Sequence, residues 1–309
     1  MTRCANCKRE AEVFIPYQKK PLCREHFINH VINNVRKTIE RFRLINGFQV
    51  VAVGMSGGKD SAVLLDILSK LSELDEFRFE ILPIHIDLGI SENNFSHQSL
   101  DAALAVTKKA RLYLNVVKVE EELGYTLPEL VRHPKNYRPA CALCGILKRY
   151  LLNKTAYELG ATVIATGHLM DDEATFLLSN FIAGQKDLIA RSGPASWSNI
   201  PRLISRIKPL YNLTEFESQL YADLAHVPYT KVRCPFHKTA TTTNFKDVIR
   251  TMELVRAGST RQLLKSFRDL QKYYKIENQQ PIRSCAICGF PTSGEICAFC
   301  KIKQNVYKK

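Results

Sequence analysis

Apolar runs and helix-forming stretches alternate along most of the chain. Residues 50–53 are apolar without interruption, which is typical of a strand buried on both faces of a sheet. The segment that follows from Ala62 is rich in residues that favour helix. The same succession continues downstream, with predicted strands at 80–86, 112–119 and 162–166 and predicted helices at 97–110, from Cys141 and from Asp172. This alternation predicts an α/β fold in which a parallel sheet carries helices on both faces.

A loop of small residues joins the first predicted strand to its helix. Its glycines let backbone N–H groups approach phosphate oxygens, and the helix amino terminus adds positive partial charge. Ser56 and Ser61 offer hydroxyl groups, and Lys59 offers a full charge. The spacing of a Walker A loop is absent. We therefore predict a phosphate site of a different kind in the sequence Gly54-Met55-Ser56-Gly57-Gly58-Lys59-Asp60-Ser61.

Seven of the ten cysteines, with one histidine, have the spacing of structural zinc ligands. Two close pairs of soft ligands can surround one zinc ion tetrahedrally. We predict a zinc finger at one end of the chain and a zinc ribbon at the other, both structural because neither leaves a ligand position open. The finger ligands are Cys4, Cys7, Cys23 and His26, and the ribbon ligands are Cys285, Cys288, Cys297 and Cys300.

Three cysteines remain, and the residues alone leave their role open. Cys141, Cys144 and Lys148 lie on one stripe of a predicted helix, where the ammonium group favours thiolate. Cys234 precedes Pro235, which predicts an exposed turn. The three thiols fit buried apolar side chains, a redox pair with a bystander, or a three-thiolate metal site with an open position.

The composition is that of a globular protein with excess positive charge. The 309 residues are 45% hydrophobic and 24% charged, with a net charge of +14. At roughly 150 residues per domain, this length suggests one large domain with attachments, or two domains. No apolar run approaches the ~20 residues of a membrane-spanning helix, and the first residues lack a secretion signal. We therefore expect a cytoplasmic protein without disulfides.

Residues 231–283 contain much of the charge excess. Twelve Lys and Arg residues there oppose four Asp and Glu residues. Such an excess suggests a polyanionic partner, although a solvated helical surface explains it equally well.

Two motifs resemble those of the adenine-nucleotide α-hydrolase (PP-loop) enzymes. The first is residues 56–61, and the second is the Thr166-Gly167-His168 turn with the acidic residues after it. The resemblance implies that ATP is split between its α and β phosphates and that AMP is transferred to an acceptor. It also implies Mg²⁺ near Asp172. The implied ATP-binding residues are Gly54, Met55, Ser56, Gly57, Gly58, Lys59, Asp60, Ser61, Ile86, Lys148, Gly167 and Asp172.

The order of these features resembles that of the TtuA-type branch of tRNA 2-thiouridine synthetases within the TtcA/TtuA thiolase family. The likeness extends from Cys4 to Cys300. It implies a [4Fe–4S] cluster held by Cys141, Cys144 and Cys234, with one iron lacking a protein ligand and free to bind sulfur.

The resemblance further implies a reaction on tRNA. The C2 oxygen of a uridine would attack the α-phosphate of ATP, and sulfur would then replace AMP to give 2-thiouridine. Lys59, Lys148 and Mg²⁺ would stabilise charge on the phosphate, while Asp172 and the three cysteines complete the implied catalytic set. The basic stretch and the ribbon would hold tRNA by its backbone. The sulfur donor would be sulfide or a ubiquitin-like thiocarboxylated carrier, and homodimers are common among such enzymes.

Other functions remain open at this stage. An iron-free thiolase would use Cys144 and Cys234 as a persulfide and resolving pair. A lysidine-type amine ligase and a non-catalytic zinc-containing tRNA-binding protein are two further alternatives.

We predict four parts along the chain. They are a zinc finger at 1–27, a PP-loop core with a linking helix at its start at 28–230, a basic helical tRNA-contacting segment at 231–283, and a zinc ribbon at 284–309.

Overall fold

The computed structural model of the protein describes residues 2–239, 243–271, 273 and 281–307. The strands are β1 (Val13–Ile15), β2 (Lys20–Leu22), β3 (Gln49–Met55), β4 (Phe79–Asp87), β5 (Asn115–Lys118), β6 (Val163–Ala165), β7 (Ala195–Ser196), β8 (Ser205–Ile207), β9 (Arg283–Ser284) and β10 (Pro291–Thr292). The helices are α1 (Arg24–Phe42), α2 (Lys59–Ser72), α3 (Phe95–Lys109), α4 (Val119–Leu123), α5 (Leu127–Arg132), α6 (Ala140–Glu158), α7 (Met170–Ile182), α8 (Lys186–Ala190), α9 (Glu215–Leu224), α10 (Thr243–Val255), α11 (Ser259–Gln271) and α12 (Ala298–Tyr307).

Six strands form the central sheet in the order β5-β4-β3-β6-β8-β7. The first five are parallel, and β7 runs antiparallel to β8. Val51 in the middle of β3 pairs with Ile81 of β4 and with Val163 of β6. The predicted α/β class and its parallel sheet are thus confirmed. The sequence pattern does not predict β7 and β8, which are only two and three residues long.

Both faces of β3 are buried, in agreement with its uninterrupted apolar sequence. Val51 and Val53 belong to the core on one side of the sheet, whereas Ala52 belongs to the core on the other side, against α6. All three side chains are fully buried. Since burial of one large aliphatic side chain contributes about 1.5–3 kcal/mol, the strand that leads into the phosphate loop is firmly fixed.

Helix α1 connects the amino-terminal hairpin of β1 and β2 to the sheet. Its buried residues include Phe27, Val31 and Val35, and it packs against α2 and α9. The helix begins at Arg24 and therefore contains His26. The predicted boundary between residues 27 and 28 consequently falls within one continuous helix.

Helices α10 and α11 lie within the basic segment, and both pack against α7. Ile249 and Leu264 join a small core with Met170, Leu177 and Tyr211. Within the ranges given above, no helix combines the length and apolar character needed to cross a membrane.

Candidate active site

The phosphate loop is ordered by hydrogen bonds among its own residues. The Ser61 hydroxyl donates to the carbonyl of Gly58 at 2.9 Å and accepts from the N–H of Ser56 at 3.2 Å. The Ser56 and Ser61 hydroxyl oxygens lie 3.0 Å apart, and the N–H of Gly58 donates to the Ser56 hydroxyl. Helix α2 begins directly afterwards and has no side-chain cap. Its first N–H groups are therefore free of a side-chain acceptor, as an anion site requires.

At two positions only glycine fits, because the backbone of another segment lies too close to leave room for a Cβ atom. Gly57 has a φ of +77°, and a Cβ there would lie 2.3 Å from the carbonyl oxygen of Ser99. The carbonyl of Gly57 also accepts from the N–H of Thr230 at 2.9 Å. At Gly167, a Cβ would lie 2.8 Å from the backbone of Asp60. The turn after β6 therefore packs directly on the phosphate loop.

A cavity of about 690 Å³ opens beside this loop at the carboxyl edge of the sheet. Its wall includes most of the residues predicted to bind ATP, and the exceptions are Gly57 and Asp172. The predicted residues in the wall are Gly54, Met55, Ser56, Gly58, Lys59, Asp60, Ser61, Ile86, Lys148 and Gly167.

Several residues of the cavity wall escape prediction from the sequence. Among the cationic ones, Arg206 lies on β8, which the sequence pattern misses, Lys208 directly follows that strand, and Arg149 lies on α6. In the sequence, the part of the wall at β8 is indicated only by Arg206-Ile207-Lys208, an alternation of cationic and apolar residues that precedes Pro209. The lining residues outside the two sequence motifs and the predicted set are Ile84, Arg149, Leu152, Phe176, Ser196, Arg206 and Lys208, whereas Thr166, His168 and Glu173 belong to the second motif.

The carboxylates around the loop are already paired with lysines. Asp60 lies 3.1 Å from Lys59, Asp172 lies 2.7 Å from Lys246 of α10, and Glu173 lies 2.8 Å from Lys208. Asp172 also accepts from the N–H of Leu169, which caps α7. These residues do not form an open oxygen site for Mg²⁺, so we derive no step through that ion.

His168 lies in the cavity wall and is held by the turn. Its Nδ1 lies 2.9 Å from the hydroxyl of Thr166. Burial, with a contribution from Lys208, lowers the pKa of His168. The lowered pKa favours the neutral form of the ring.

Cys141 and Cys234 both lie close enough to Cys144 to affect its thiol, and Lys148 of the cavity wall lies about one helical turn from Cys144. Cys141 and Cys144 lie in the first turns of α6, and the Cys141 thiol lies 3.5 Å from the carbonyl of Phe236, two residues after Cys234. Burial raises the pKa of the Cys144 thiol, although the positive charge of Lys148 acts to lower it. The three sulfur atoms do not all lie within 4.8 Å of one another. They are thus more widely spaced than the ligands of either terminal group, and thiolates are the ligands that iron–sulfur clusters take.

The two terminal groups, by contrast, have the dimensions of single-ion sites. A tetrahedral zinc with Zn–S bonds of ~2.3 Å separates its sulfur ligands by ~3.8 Å. Cys7 and Cys23 have sulfur atoms 3.8 Å apart, as do Cys288 and Cys297. In the amino-terminal group, Nδ1 of His26 lies 3.3 Å from the Cys23 sulfur. All four ligand atoms of each group lie within 4.8 Å of one another.

Many cations of the basic segment bind the protein itself. Arg261 donates to the carbonyl of Asn212 at 3.2 Å and lies over the ring of Tyr17. Arg268 lies over the rings of Phe42 and Tyr211. These arginines hold α11 on the core, so the charge count overstates the cations available to a polyanion. Lys272 and Lys275 lie outside the described residues.

Known proteins resemble this chain along nearly its full length. The PP-loop domain family matches residues 27–232, and the family of TtuA amino-terminal LIM domains matches residues 3–28. The chain is 38% identical to the tRNA-5-methyluridine(54) 2-sulfurtransferase of Pyrococcus horikoshii, covering 97% of this chain and 93% of that protein. It is 34% identical to the protein of the same name from Thermus thermophilus, at 99% and 92% coverage. The structure of the U34-tRNA thiolase NcsA from Methanococcus maripaludis with its [4Fe-4S] cluster matches with a TM-score of 0.83 at 26% identity, covering 100% of this chain and 98% of that one.

Proposed function

The chain belongs to the TtuA-type family of PP-loop tRNA 2-thiouridine synthetases, and we propose that it converts a uridine of tRNA into its 2-thio derivative at the expense of ATP. One juxtaposition carries this proposal. Lys148 contributes to the wall of the nucleotide cavity and lies four residues, about one helical turn, after Cys144. A base that reaches into the cavity would thus lie close to both the phosphate loop and the cysteines.

We propose that the phosphate loop performs the activating half of the reaction. The backbone N–H groups at the start of α2 and the ammonium groups of Lys59 and Lys148 would hold the phosphates of ATP. The uridine C2 oxygen attacks the α-phosphorus, and the bond to the pyrophosphate oxygen breaks. The charge that develops on the transferred phosphate is stabilised by these donors. Mg²⁺ is proposed only as the counter-ion of the ATP phosphates, since the nearby carboxylates are paired with lysines.

In the second half, a sulfide nucleophile adds to C2 and AMP leaves with the former C2 oxygen. A [4Fe–4S] cluster on Cys141, Cys144 and Cys234 would supply an iron without a protein thiolate, at which sulfur can be bound. The positive charges of Lys148 and Arg149, which favour the thiolate of Cys144, would also favour anionic sulfur there. Sulfide itself or a thiocarboxylated carrier protein would be the donor.

The two terminal groups are proposed to hold one structural zinc ion each. The four-part division predicted from the sequence is retained as a proposal, with α1 as the shared element of the first two parts. Ten free cysteines suit the reducing cytoplasm, where we expect the enzyme to act.

The proposal is tested by nucleoside mass spectrometry of unmodified tRNA after anaerobic incubation with the protein, ATP, Mg²⁺ and sulfide. We expect a 2-thiouridine nucleoside, and fragment mapping locates it at position 54 or 34. Lys148→Ala should abolish the product, whereas Lys154→Ala, on the same helix but paired with Glu122 at 2.8 Å, should retain it. Protein with full iron and zinc content that forms AMP but no thionucleoside would contradict the proposal.

A further inference from the structure

Two arginines form part of the cavity wall, and neither takes part in the proposed activation of the base by ATP. Arg206 lies in the middle of β8, and its Nη2 donates to the backbone carbonyl of Arg149 on α6 at 3.1 Å. Both residues line the cavity. Burial and the charge of Arg149 lower the pKa of Arg206. Among the ion pairs of the described residues none involves either arginine, whereas neighbouring Lys208 is paired with Glu173.

The helix is shaped to accommodate the guanidinium of Arg149. A Cβ at Gly145 would lie 3.0 Å from Nη1 and 3.2 Å from Nη2 of Arg149. Arg149 therefore lies across the helix surface over this glycine, one turn from its own position. Glycine is unfavourable inside a helix, and the space it leaves here is filled by the guanidinium.

In the sheet order, Arg206 on β8 and the apolar lining residues Ile84 and Ile86 of β4 lie on opposite sides of β3. Strand β8 is separated from β3 by β6. With ~4.8 Å between neighbouring strands, Arg206 lies roughly 10 Å across the sheet from the strand that leads into the phosphate loop. ATP bound at the loop and on the β4 side of the cavity would thus leave the β8 side to a second substrate. Arg149 is exposed at the surface there.

We propose that Arg149 and Arg206 bind a backbone phosphate of the tRNA beside the target uridine, and so direct its C2 oxygen toward the α-phosphate of ATP. Two planar guanidinium groups without carboxylate partners match the geometry and charge of a phosphate diester. The inference rests on the proposed function, because it assigns one end of the same cavity to the second substrate.

The test compares Arg206→Gln, Arg149→Gln and Arg206→Lys with Arg78→Gln, which removes an exposed arginine just before β4 at the opposite edge of the sheet. We expect the tRNA dissociation constant to rise about tenfold in each cavity Gln variant. The slope of log affinity against log salt should fall by about one. Arg206→Lys should restore part of the affinity, since lysine keeps the charge without the fork. ATP affinity in the absence of tRNA should remain within twofold, and Arg78→Gln should match wild type.

A hairpin carrying a single methylphosphonate beside the target uridine identifies the phosphate. The neutral linkage should weaken binding of wild type by more than tenfold, because both arginines lose the phosphate charge, and should weaken Arg206→Gln by a smaller factor, because only the Arg149 contact is left to lose. Weaker ATP binding with unchanged tRNA binding would overturn the inference and assign the arginines to the nucleotide. Unchanged affinities for both would overturn it as well. Failure of wild type to thiolate tRNA in the mass spectrometry above would instead refute the proposed function, independently of these binding data.

Discussion

The two ends of the active site are built in different ways. The phosphate loop is a continuous segment, ordered by hydrogen bonds between Ser56, Gly58 and Ser61 and fixed by a strand buried on both faces. The cysteine group is assembled from the start of α6 and a turn about ninety residues later, at Cys234. One end therefore depends on local geometry and the other on tertiary contacts. They should respond separately to substitution.

The largest effect is expected from Cys144→Ala at the assembled end. Loss of one of three thiolates should remove the iron, about four atoms per chain in the wild type, and abolish thiouridine formation. The zinc content should stay at two per chain, because neither terminal group includes this residue. Metal analysis of protein purified without oxygen checks this expectation. Iron retained at the wild-type level would show that the cluster lies elsewhere.

At the loop, Lys59→Ala removes the cation next to the proposed phosphate site. Its Nζ lies 3.1 Å from Asp60 and 3.4 Å from the carbonyl of Glu215. We expect tRNA-dependent AMP formation to fall about 100- to 1000-fold, as for loss of one preorganised donor. Iron content and tRNA affinity should be unchanged. Normal turnover would contradict the role assigned to this lysine.

Gly57→Ala tests the geometry of the loop without removing a charge. Gly160 is a close control, since its φ of +76° matches that of Gly57 and a Cβ there would have nothing within 4 Å. Both substitutions should cost ~1–2 kcal/mol of stability from the left-handed backbone. Only in Gly57→Ala does the new Cβ clash with the backbone of Ser99, and we expect this variant to lower AMP formation about 100-fold. Equal activity of the two variants would mean that the contact with Ser99 is relaxed at no cost to the loop.

A smaller effect is expected from Ser61→Ala, which deletes the hydroxyl that ties the loop together. We expect the KM for ATP to rise about tenfold, a loss equivalent to ~1.4 kcal/mol. Ser72→Ala is the matched control at the far end of α2, where the hydroxyl donates to the carbonyl of Ser69. Enzyme kinetics with varied ATP separate the two. A Ser61→Ala enzyme with unchanged KM would show that the loop needs no such hydrogen bonds.

The contiguous loop could be predicted from the sequence because strand, glycines and helix start follow one another directly. The two terminal metal groups could be predicted from the sequence as well, since their ligands form close pairs. The role of the three remaining cysteines could not be predicted in this way, because spacing alone left Cys141, Cys144 and Cys234 with three interpretations. Only the fold brings residues so distant in sequence to one place.

The arginine end of the cavity shows a second limit. Arg206 lies on a three-residue strand, which is too short for its hydrophobic period to be recognised. The basic segment shows a third limit of sequence-based prediction. A count of charges does not reveal that Arg261 and Arg268 pack against aromatic rings of the core.

The most direct test measures whether the phosphate loop still transfers AMP to tRNA when one of the three cluster cysteines has been removed. Cys144→Ala protein is incubated briefly with tRNA and ATP labelled at the α-phosphate, and label attached to RNA is measured after denaturing electrophoresis. We predict label on the tRNA with Cys144→Ala and none with the Lys59→Ala, Cys144→Ala double variant. Release of free AMP with no label on tRNA at the shortest times would contradict activation of the base by adenylation.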